Sequence, residues 1–416
     1  MLRNLNVNFL SYLAHGVLSQ IGFRLVNVPT FIPAYLLILS GGSNFVVGLA
    51  LFFQGLGQAV TPIWGANVIS YRKRVVPIAI AIGFIMRTNI LFIGLAGLYF
   101  SNQLTLVLVI LFLGLFGLAE GMQGVVFNYL TSKILPLRRR GRLMGLRNFF
   151  GGLSASIFAL FVGDYLVGNQ DKLEGYSYSF IIAFFISIFG LISLILIREP
   201  APPEIGKKQS FPEQLKAISV FLRKDPNFRF FFWARTVATM GKMTLPFYVL
   251  YAGQEVGFSG YFLGVLTSVF TLSNTFSNLL WGAMADLRGF RLVFLSSIIF
   301  WILSTSVYFF SVSFAASIVV FSVVGASISG FENSSRAIVL EFGTLKERPN
   351  LIATTNTAAQ MAGALGPLLG GLIASWLGYK AVFFLGICFL FAAALMVIIF
   401  VPEPRKRFND LETRVR

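Results

Sequence analysis

The chain has 416 residues, of which 56% are hydrophobic and only 12% are charged. Soluble globular proteins contain about 25% charged residues, so this composition excludes an ordinary water-soluble fold and predicts a protein that lies largely in lipid. The single cysteine and the single histidine exclude a disulfide within the chain and a Cys/His metal cluster. We therefore expect no metal and no cofactor. Because the sequence offers no nucleophile–base pair, we also expect that the protein is not an enzyme.

Long apolar runs predict twelve transmembrane helices, because about 20 apolar residues suffice to cross a bilayer. Helix is the expected spanning form, since the runs lack the two-residue alternation of barrel strands. The predicted fold class is therefore an all-α membrane protein. The predicted spans are 9–39, 44–66, 75–100, 104–130, 148–168, 178–197, 228–252, 259–284, 290–313, 315–340, 351–377 and 380–401.

The basic residues are distributed unevenly between the two sides of these spans. The loops on the side opposite the termini carry only Lys172 and Lys380 of the 33 Lys and Arg residues. The positive-inside rule therefore places both termini in the cytoplasm, and the net charge of +17 is an orientation signal rather than a nucleic-acid-binding surface. The basic side is expected to attract anionic lipids, at about 1 kcal/mol per residue. We expect a monomeric, multi-pass protein of the bacterial inner membrane.

The first predicted helix carries the chain's histidine, His15, and two prolines, Pro29 and Pro33. The prolines are expected to kink the outer end of this helix, as is Pro246 in the seventh helix. His15 is a candidate proton carrier because the unperturbed pKa of histidine is about 6.5. The alternative is a histidine that packs or bonds a backbone group.

Helices three and four each contain a charged residue within the predicted membrane, Arg87 and Glu120. A charge at mid-bilayer costs about 2.5–3.5 kcal/mol by insertion scales, so each needs a partner or a function. Both residues lie near the middle of their helices, and we expect them to pair.

The two halves of the chain repeat each other. Arg140 and Arg348, and likewise Asn148 and Asn356, share one offset, which indicates two duplicated six-helix bundles. Between them, Ser210 and Glu213 form a capping box, and an apolar stripe predicts a short helix on the membrane surface or against the bundle. The predicted domains are a bundle over 1–198, a cytoplasmic linker over 199–226, a second bundle over 227–402 and a basic tail over 403–416.

The second bundle carries more intramembrane charge. Arg235 lies early in the seventh helix and is expected to extend toward the cytoplasmic side. Lys242 lies further along the same helix, at a position nearly equivalent to that of Arg24 in the first helix. Glu332 and Arg336 are four residues apart on one helix, in the order that favours an ion pair.

One phrase occurs twice. It reads "GAMADLRGFR" from Gly282 to Arg291 and, in degraded form, "GANVISYRKR" from Gly65 to Arg74. With two sets of six spans and a cytoplasmic middle loop, the intact copy resembles the major facilitator superfamily, whose signature loop is roughly G-x-L-A-D-R-x-G-R-K. The resemblance covers nearly the whole chain. It implies two pseudo-symmetric six-helix bundles that rock about a central site.

The resemblance also implies that this loop is a latch on the cytoplasmic side. A glycine lets two helices approach closely, and an acid can accept from an arginine or lie near a helix N-terminus. In the first copy Ile69 replaces the acid, so we expect the second copy to form most of the latch. The alternative is that the acid of the second copy only caps its loop. The candidate latch residues are Gly282, Asp286, Gly289, Arg291 and Gly65.

Two further motifs bear on the type of transport. Many drug/proton antiporters of this superfamily carry R-x-x-Q-G in helix four, where this chain reads "EGMQG" from Glu120 to Gly124. Gln123 and Gly124 fit the motif, but a glutamate stands where the motif has an arginine. The sequence G-P-x-x-G-G occurs at Gly366–Gly371 in helix eleven and is missing from helix five, where it would indicate antiport. The antiporter interpretation is therefore weakened.

Helices one, four, seven and ten line the central cavity in this superfamily. The resemblance therefore brings Arg24 and Lys242 into one cavity, where two cations attract an anion, and Gln54 and Gln123 add polar contacts. The alternatives are that the two cations pair with Glu120 or Glu332, and that the glutamines bond neighbouring helices. Arg87 and Arg336 would complete such a charge network.

These features together predict a secondary active transporter for a small organic molecule, with an amphipathic anion favoured and export favoured over uptake. Protons are the expected coupling ion, because Glu120 and Glu332 are the mid-membrane carboxylates and His15 is a further proton carrier. One alternative is a polyspecific drug/proton efflux transporter. Another is a membrane sensor or scaffold that has lost transport, since fold alone does not establish function.

Overall fold

The computed structural model describes residues 2–70, 72–168, 172–200, 222, 225–342 and 348–402, and this part of the chain forms helices and no strand. The predicted linker helix and the basic tail lie outside these residues. The first half contains α1 Leu2–Asn27, α2 Phe31–Leu39, α3 Asn44–Val60, α4 Pro62–Ser70, α5 Val76–Tyr99, α6 Asn102–Ile134, α7 Leu137–Phe161 and α8 Lys172–Ile192. The second half contains α9 Pro226–Met240, α10 Leu245–Val256, α11 Gly260–Arg288, α12 Phe290–Phe310, α13 Phe314–Val339, α14 Arg348–Leu377 and α15 Tyr379–Phe400.

Most of the predicted membrane spans are long, apolar helices. Among the described residues, nine helical segments are long and apolar enough to cross a membrane, or ten if the bent pair α1–α2 counts as one span. The two other predicted spans correspond to α9 with α10 and to α11. The chain is thus an integral multi-pass membrane protein, whereas the count of twelve spans and the cytoplasmic side of the termini stay predictions.

The predicted proline kink in the first span is present, and the helix is irregular near Pro246 in the seventh. The chain bends by 40° between α1 and α2, where Pro29 lies in the short break. The seventh span is interrupted by a 3₁₀ turn over Gly241–Thr244, directly before Pro246 in the first turn of α10. A proline ring removes one helical hydrogen bond and clashes with the preceding turn. Arg24, in the last turn of α1, and Lys242, in the 3₁₀ turn, both lie beside a break.

The two halves meet on the side of the bundle away from the termini, which we call the far side; the other is the terminal side. There α3 packs against α14, and α7 packs against α11. The backbones are so close that a Cβ atom on Gly48 would collide with the carbonyl of Pro367. Small residues permit this approach between membrane helices.

Side-chain hydrogen bonds between the halves lie in the same region. The Thr30 and Thr267 hydroxyls are 2.7 Å apart, and the Tyr379 hydroxyl donates to Asn44 Oδ1 over 2.8 Å. Within the described part of the chain, the hydrogen bonds recorded between the halves all lie in the far half of the bundle. The halves are therefore joined on the far side.

Candidate substrate and proton site

Glu332 is the acidic centre of a charge cluster in the second half. Lys242 Nζ donates to Glu332 Oε1 over 2.7 Å, and Arg336 Nη2 lies 3.2 Å from Glu332 Oε2. The predicted Glu332–Arg336 pair is confirmed. Lys242 adopts the alternative that the sequence left open, since it bonds a carboxylate of the protein. Lys242 lies in the 3₁₀ turn that interrupts the seventh span.

Arg24 behaves differently from Lys242. Its guanidinium makes no hydrogen bond and no ion pair within the described residues, yet it lies within electrostatic reach of Glu332 in the other half. The two near-equivalent cations therefore approach one carboxylate from opposite halves, and only Lys242 bonds it. Arg24 retains its N–H donors for another acceptor.

Two further arginines, Arg235 and Arg147, act electrostatically on members of this group of charges. Arg235 was expected to extend toward the terminal side, and this expectation is wrong, because the residue is only 6% exposed and its Nη2 donates to Asn356 Oδ1 over 2.7 Å. Helix α9 begins at Pro226, so Arg235 lies more than two turns inside it. Its Nη1 is buried without a partner among the described residues.

Arg147 was missed as a site residue. The sequence assigned it to a loop, but α7 begins at Leu137, so Arg147 lies nearly three turns inside the helix. Its side chain covers Gly16 of α1, and it acts electrostatically on Arg24. The signal for the earlier helix start was Pro136, which precedes α7 directly.

Cations outnumber carboxylates at this place. Glu332 interacts electrostatically with Arg24 in one half and with Arg235, Lys242 and Arg336 in its own half. One carboxylate balances one of these four charges. Because like charges in a medium of low dielectric repel each other, the uncompensated cluster is suited to an anionic ligand.

Glu120 has a neutral environment. Its Oε1 accepts from Asn27 Nδ2 over 2.8 Å, and its Oε2 accepts from Gln58 Nε2 over 2.5 Å. Gln54 Nε2 in turn donates to Asn27 Oδ1 over 3.0 Å. Within the described residues no Lys or Arg lies in ion-pair contact with Glu120. A proton can bind this carboxyl without breaking an ion pair.

The predicted pair between Arg87 and Glu120 is therefore wrong. Arg87 is 0% exposed and donates to the carbonyls of Ser187 and Gly83 over 2.8 and 2.7 Å, and to Ser19 Oγ over 2.5 Å. The guanidinium also lies 4.9 Å from the ring centre of Phe23. The side chain points toward α8 and α1 rather than toward α6, and neutral acceptors satisfy it.

The remaining candidates are more enclosed. His15 is 3% exposed, its Nδ1–H donates to the Gly190 carbonyl over 3.2 Å, and its ring stacks on Phe127 at 4.8 Å. This environment favours the packing interpretation of His15. Gln54 bonds Asn27 as described, and Gln123 Oε1 is buried without a partner among the described residues. Gln123 therefore has a buried acceptor that no described residue uses.

The repeated loop differs from expectation at its first glycine. No neighbour lies within 4 Å of a Cβ placed on Gly282, whereas one placed on Gly65 would meet the Met122 carbonyl. The close helix approach is thus confirmed at the degraded copy and wrong at the intact copy in this structure. Gly289 has φ 88° between α11 and α12, a conformation that favours glycine. Arg291 Nη2 donates to the carbonyls of Val397 and Ile398, each over 3.2 Å.

In the first half a different acid, Glu199, bonds the start of α5. Ile69 is 6% exposed and belongs to the apolar core. Glu199 accepts from the backbone N–H groups of Val75 and Val76 over 2.8 and 3.1 Å, and it forms an ion pair of 2.5 Å with Lys133. An anion at the start of α5 also interacts favourably with the helix dipole.

Comparisons with known proteins agree with this architecture. The family model described as the Major Facilitator Superfamily matches residues 8–241 and 230–414. The multidrug resistance protein MdtG of Proteus mirabilis is 25% identical over 169 residues, and that of Klebsiella pneumoniae strain 342 is 29% identical over 177 residues. These matches cover 39% of this chain and 41% and 42% of the relatives. The chain thus spans about two fifths of the length of the MdtG proteins it matches.

A mouse relative and a solved structure extend the comparison. Major facilitator superfamily domain-containing protein 10 of Mus musculus is 32% identical over 142 residues, which are 34% of this chain and 30% of that protein. A crystal structure of the nucleoside transporter NupG superposes with a TM-score of 0.70 at 14% identity, covering 96% of this chain and all of that one. At this identity the likeness shows the fold alone. Since the family model covers both halves, the chain belongs to the Major Facilitator Superfamily, a family of membrane transporters rather than enzymes.

Proposed function

We propose that this chain is a secondary active transporter that carries a small organic molecule by alternating access. The observation that supports this most directly is Arg24, a cation of the first half that has no hydrogen-bond partner within the described residues and faces the Glu332 cluster of the second half. A ligand that bonds both sides would join the two halves. Rocking of the two bundles about such a site exposes the ligand to each side in turn.

We propose an amphipathic organic anion as the substrate. Four cations surround one carboxylate, and a carboxylate or phosphate of the substrate would reduce their mutual repulsion. Arg24 is the first contact, because a planar guanidinium binds such groups with two parallel hydrogen bonds. Lys242 is the second, once it releases Glu332. Gln123 and Gln54 are the candidates for neutral contacts.

Proton coupling is assigned to Glu120. This carboxyl is held by the amides of Asn27 and Gln58, so it can gain or lose a proton while its neighbours stay in place. Glu332 is the second candidate, and it must first leave Lys242 and Arg336. His15 is the third, because its ring is enclosed by Phe127 and bonded to a backbone carbonyl.

A specific observation also favours a second function, polyspecific drug/proton efflux. Lys242 bonds Glu332 rather than standing free, which suits an internal charge network that holds the helices. The MdtG relatives are named as multidrug resistance proteins. In this case hydrophobic substrates would meet the carboxyl of Glu120, and the Arg24 charge would have no role in binding them.

The proposal also covers the oligomeric state, the membrane and the orientation of the chain. We assign a monomer to the bacterial inner membrane, with both termini and a linker over 199–226 in the cytoplasm, and with anionic lipids along that side. The bundles cover 1–198 and 227–402, and the tail covers 403–416. Asp286 and Arg291, which flank the loop between α11 and α12, form a latch that holds the cytoplasmic side of the bundles together. We favour export as the direction of transport. A measurement of flux distinguishes a transporter from a scaffold without transport.

The test uses the purified chain in detergent. Its melting temperature is measured against organic anions, organic cations and neutral drugs, in parallel with Arg24→Ala and with the control Arg138→Ala, which removes an exposed charge on the terminal side. A ligand that binds the folded state raises the melting temperature. The proposal expects a shift from anions that is lost in Arg24→Ala and kept in Arg138→Ala. Shifts from hydrophobic cations in all three proteins would instead contradict the anion proposal and favour polyspecific drug efflux.

Flux then separates transport from binding. The chain is reconstituted into liposomes with an imposed pH gradient, and movement of the ligand found above is followed with and without the gradient. A transporter moves the ligand in both directions under exchange conditions. Binding without any flux would contradict the proposed function and would favour the alternative of a membrane sensor that does not transport.

A further inference from the structure

A groove lies at the terminal side of the first half, between the start of α1 and the start of α7. It has a volume of about 380 Å³ and is lined by Asn6, Phe9, Leu10, Arg139 and Arg142. Its walls combine two guanidinium groups with apolar side chains, and Leu10 is 63% exposed. Such a surface has the two chemical parts of a lipid site, a cationic rim and an apolar floor.

Within the described part of the chain, the charge of the groove is uncompensated. None of the described residues that line it is acidic. Arg139 Nη1 donates to Asn6 Oδ1 over 2.9 Å, which fixes its guanidinium and leaves its other N–H donors available. Arg142 makes no hydrogen bond or ion pair within the described part of the chain. The nearby carboxylate of Glu199 is bonded to Lys133 and to the start of α5.

The groove lies at the level of the membrane where lipid headgroups are found. The span that includes α7 runs from Arg138 to Val167, 30 residues, or about 45 Å of helix. The hydrocarbon core is only about 30 Å thick, so the first turns of α7 project into the headgroup layer. Arg139 and Arg142 lie in these turns, and Leu10 lies at the edge of the first predicted span.

We propose that this groove binds an anionic phospholipid of the leaflet on the terminal side. The two arginines hold the phosphodiester by charge-assisted hydrogen bonds, and an acyl chain lies along Phe9 and Leu10. Basic pockets between transmembrane helices recognise anionic headgroups in this way. The site is distinct from the cluster around Glu332. The basic side as a whole is expected to attract anionic lipids, and this groove is a specific binding site on that side.

The groove also borders the path to the proposed substrate site. Asn6 and Arg24 are five helical turns apart, so they lie on the same face of α1, about 27 Å from each other. A phospholipid in the groove would therefore stand at the terminal end of the α1 face that carries Arg24. Binding of this lipid does not require that the chain transports anything.

The experiment measures lipid binding by the full chain. Delipidated protein in detergent is titrated with phosphatidylglycerol, with zwitterionic phosphatidylcholine of the same acyl chains, and with soluble glycerol phosphate, while its melting temperature and its bound lipids by native mass spectrometry are recorded. We expect phosphatidylglycerol to stabilise the protein at lower concentration than either of the others. Equal action of both lipids, or of glycerol phosphate, would overturn the proposal.

Variants locate the site. Arg142→Gln is the first choice, because Arg142 has no hydrogen-bond partner in the described chain and its loss leaves the fold intact. We expect the apparent affinity for phosphatidylglycerol to fall roughly tenfold, the value of one charge-assisted hydrogen bond, and further in Arg139→Gln/Arg142→Gln. The control Arg138→Gln/Arg288→Gln removes two exposed charges outside the groove. An equal loss in this control would show general attraction only and would reject the site.

Discussion

Lys242 and Glu332 form an ion pair of 2.7 Å that ties the 3₁₀ turn between α9 and α10 to α13. The pair places the carboxylate where an anionic substrate would otherwise meet the ammonium group. If the proposed anion binds at Lys242, Glu332 competes with it for the ammonium group while also serving as its structural partner. Both side chains are partly exposed, so the exchange does not require a buried charge to be stranded.

This competition predicts opposite effects for the two partners. Glu332→Gln removes the competing charge, and we expect an organic anion to bind roughly tenfold more tightly, whereas Lys242→Gln should weaken it by a similar factor. Equilibrium binding of the anion identified in the melting screen measures both. The control Arg138→Gln should change neither. Weaker binding of the anion in Glu332→Gln would show that the cluster serves the fold rather than a ligand.

Glu120→Gln is expected to separate transport from proton coupling. The amide keeps the hydrogen-bonding size of the side chain near Asn27 and Gln58, but it no longer takes or releases a proton. Exchange of labelled for unlabelled substrate across the membrane should continue, and accumulation driven by a pH gradient should disappear. Both are measured in liposomes. If the gradient still drives accumulation in this variant, the coupling carboxyl is elsewhere, and Glu332→Gln is tested next.

The neutral surroundings of Arg87 give a prediction about coupling between residues. Arg87→Met should destabilise the chain by about 1–3 kcal/mol, because it leaves the buried acceptors on α8, α5 and α1 unsatisfied. Since Arg87 and Glu120 do not touch, the effects of Arg87→Met and Glu120→Gln should add within about 0.5 kcal/mol. Unfolding of the single and double variants in detergent measures this sum. A larger interaction energy would contradict this structure and support the Arg87–Glu120 ion pair that the sequence predicted.

The contrast between these residues shows what the sequence could predict. Hydropathy located most spans, and the prolines located both helix breaks, because these features depend on the local chain. The Glu332–Arg336 pair was predicted for the same reason, since both residues lie on one helix. The partners of Lys242, Arg87 and Glu120 depend on helix rotation and on the direction of a broken turn. Neither property is encoded in the spacing of apolar residues.

The packing between the two halves on the far side leads to a prediction about which state of the alternating-access cycle the chain favours. Gly48→Ala places a methyl group against the Pro367 carbonyl, which should loosen the far side and favour a state that is open there. Spin labels at Phe45→Cys and Trp376→Cys, in a Cys388→Ser background, report the distance between α3 and α14. We expect this distance to lengthen in Gly48→Ala. Gly145→Ala is the matched control, because its methyl group enters open space, and a change of similar size there would contradict the assignment.

The degraded copy of the repeated loop leads to a last prediction. Ile69 cannot carry the charge of the family's acid, whereas Glu199, at the end of the first half, is bonded to Lys133 and to the start of α5. We propose that Glu199 takes over the electrostatic role of that acid. The side chains of the pair are only 7% and 6% exposed. Breaking a buried pair at one partner costs about 3–5 kcal/mol, since it strands the other charge.

Glu199→Gln alone should therefore lower the unfolding free energy by this amount, and Glu199→Gln/Lys133→Met should recover part of it because no charge is then stranded. Thermal unfolding in detergent compares the two. A single variant as stable as the parent would show that Lys133 finds sufficient compensation in the Lys73 carbonyl, to which it also donates over 2.8 Å. The degraded motif would then lack a replacement, and the terminal side of the first half would be held by apolar packing around Ile69.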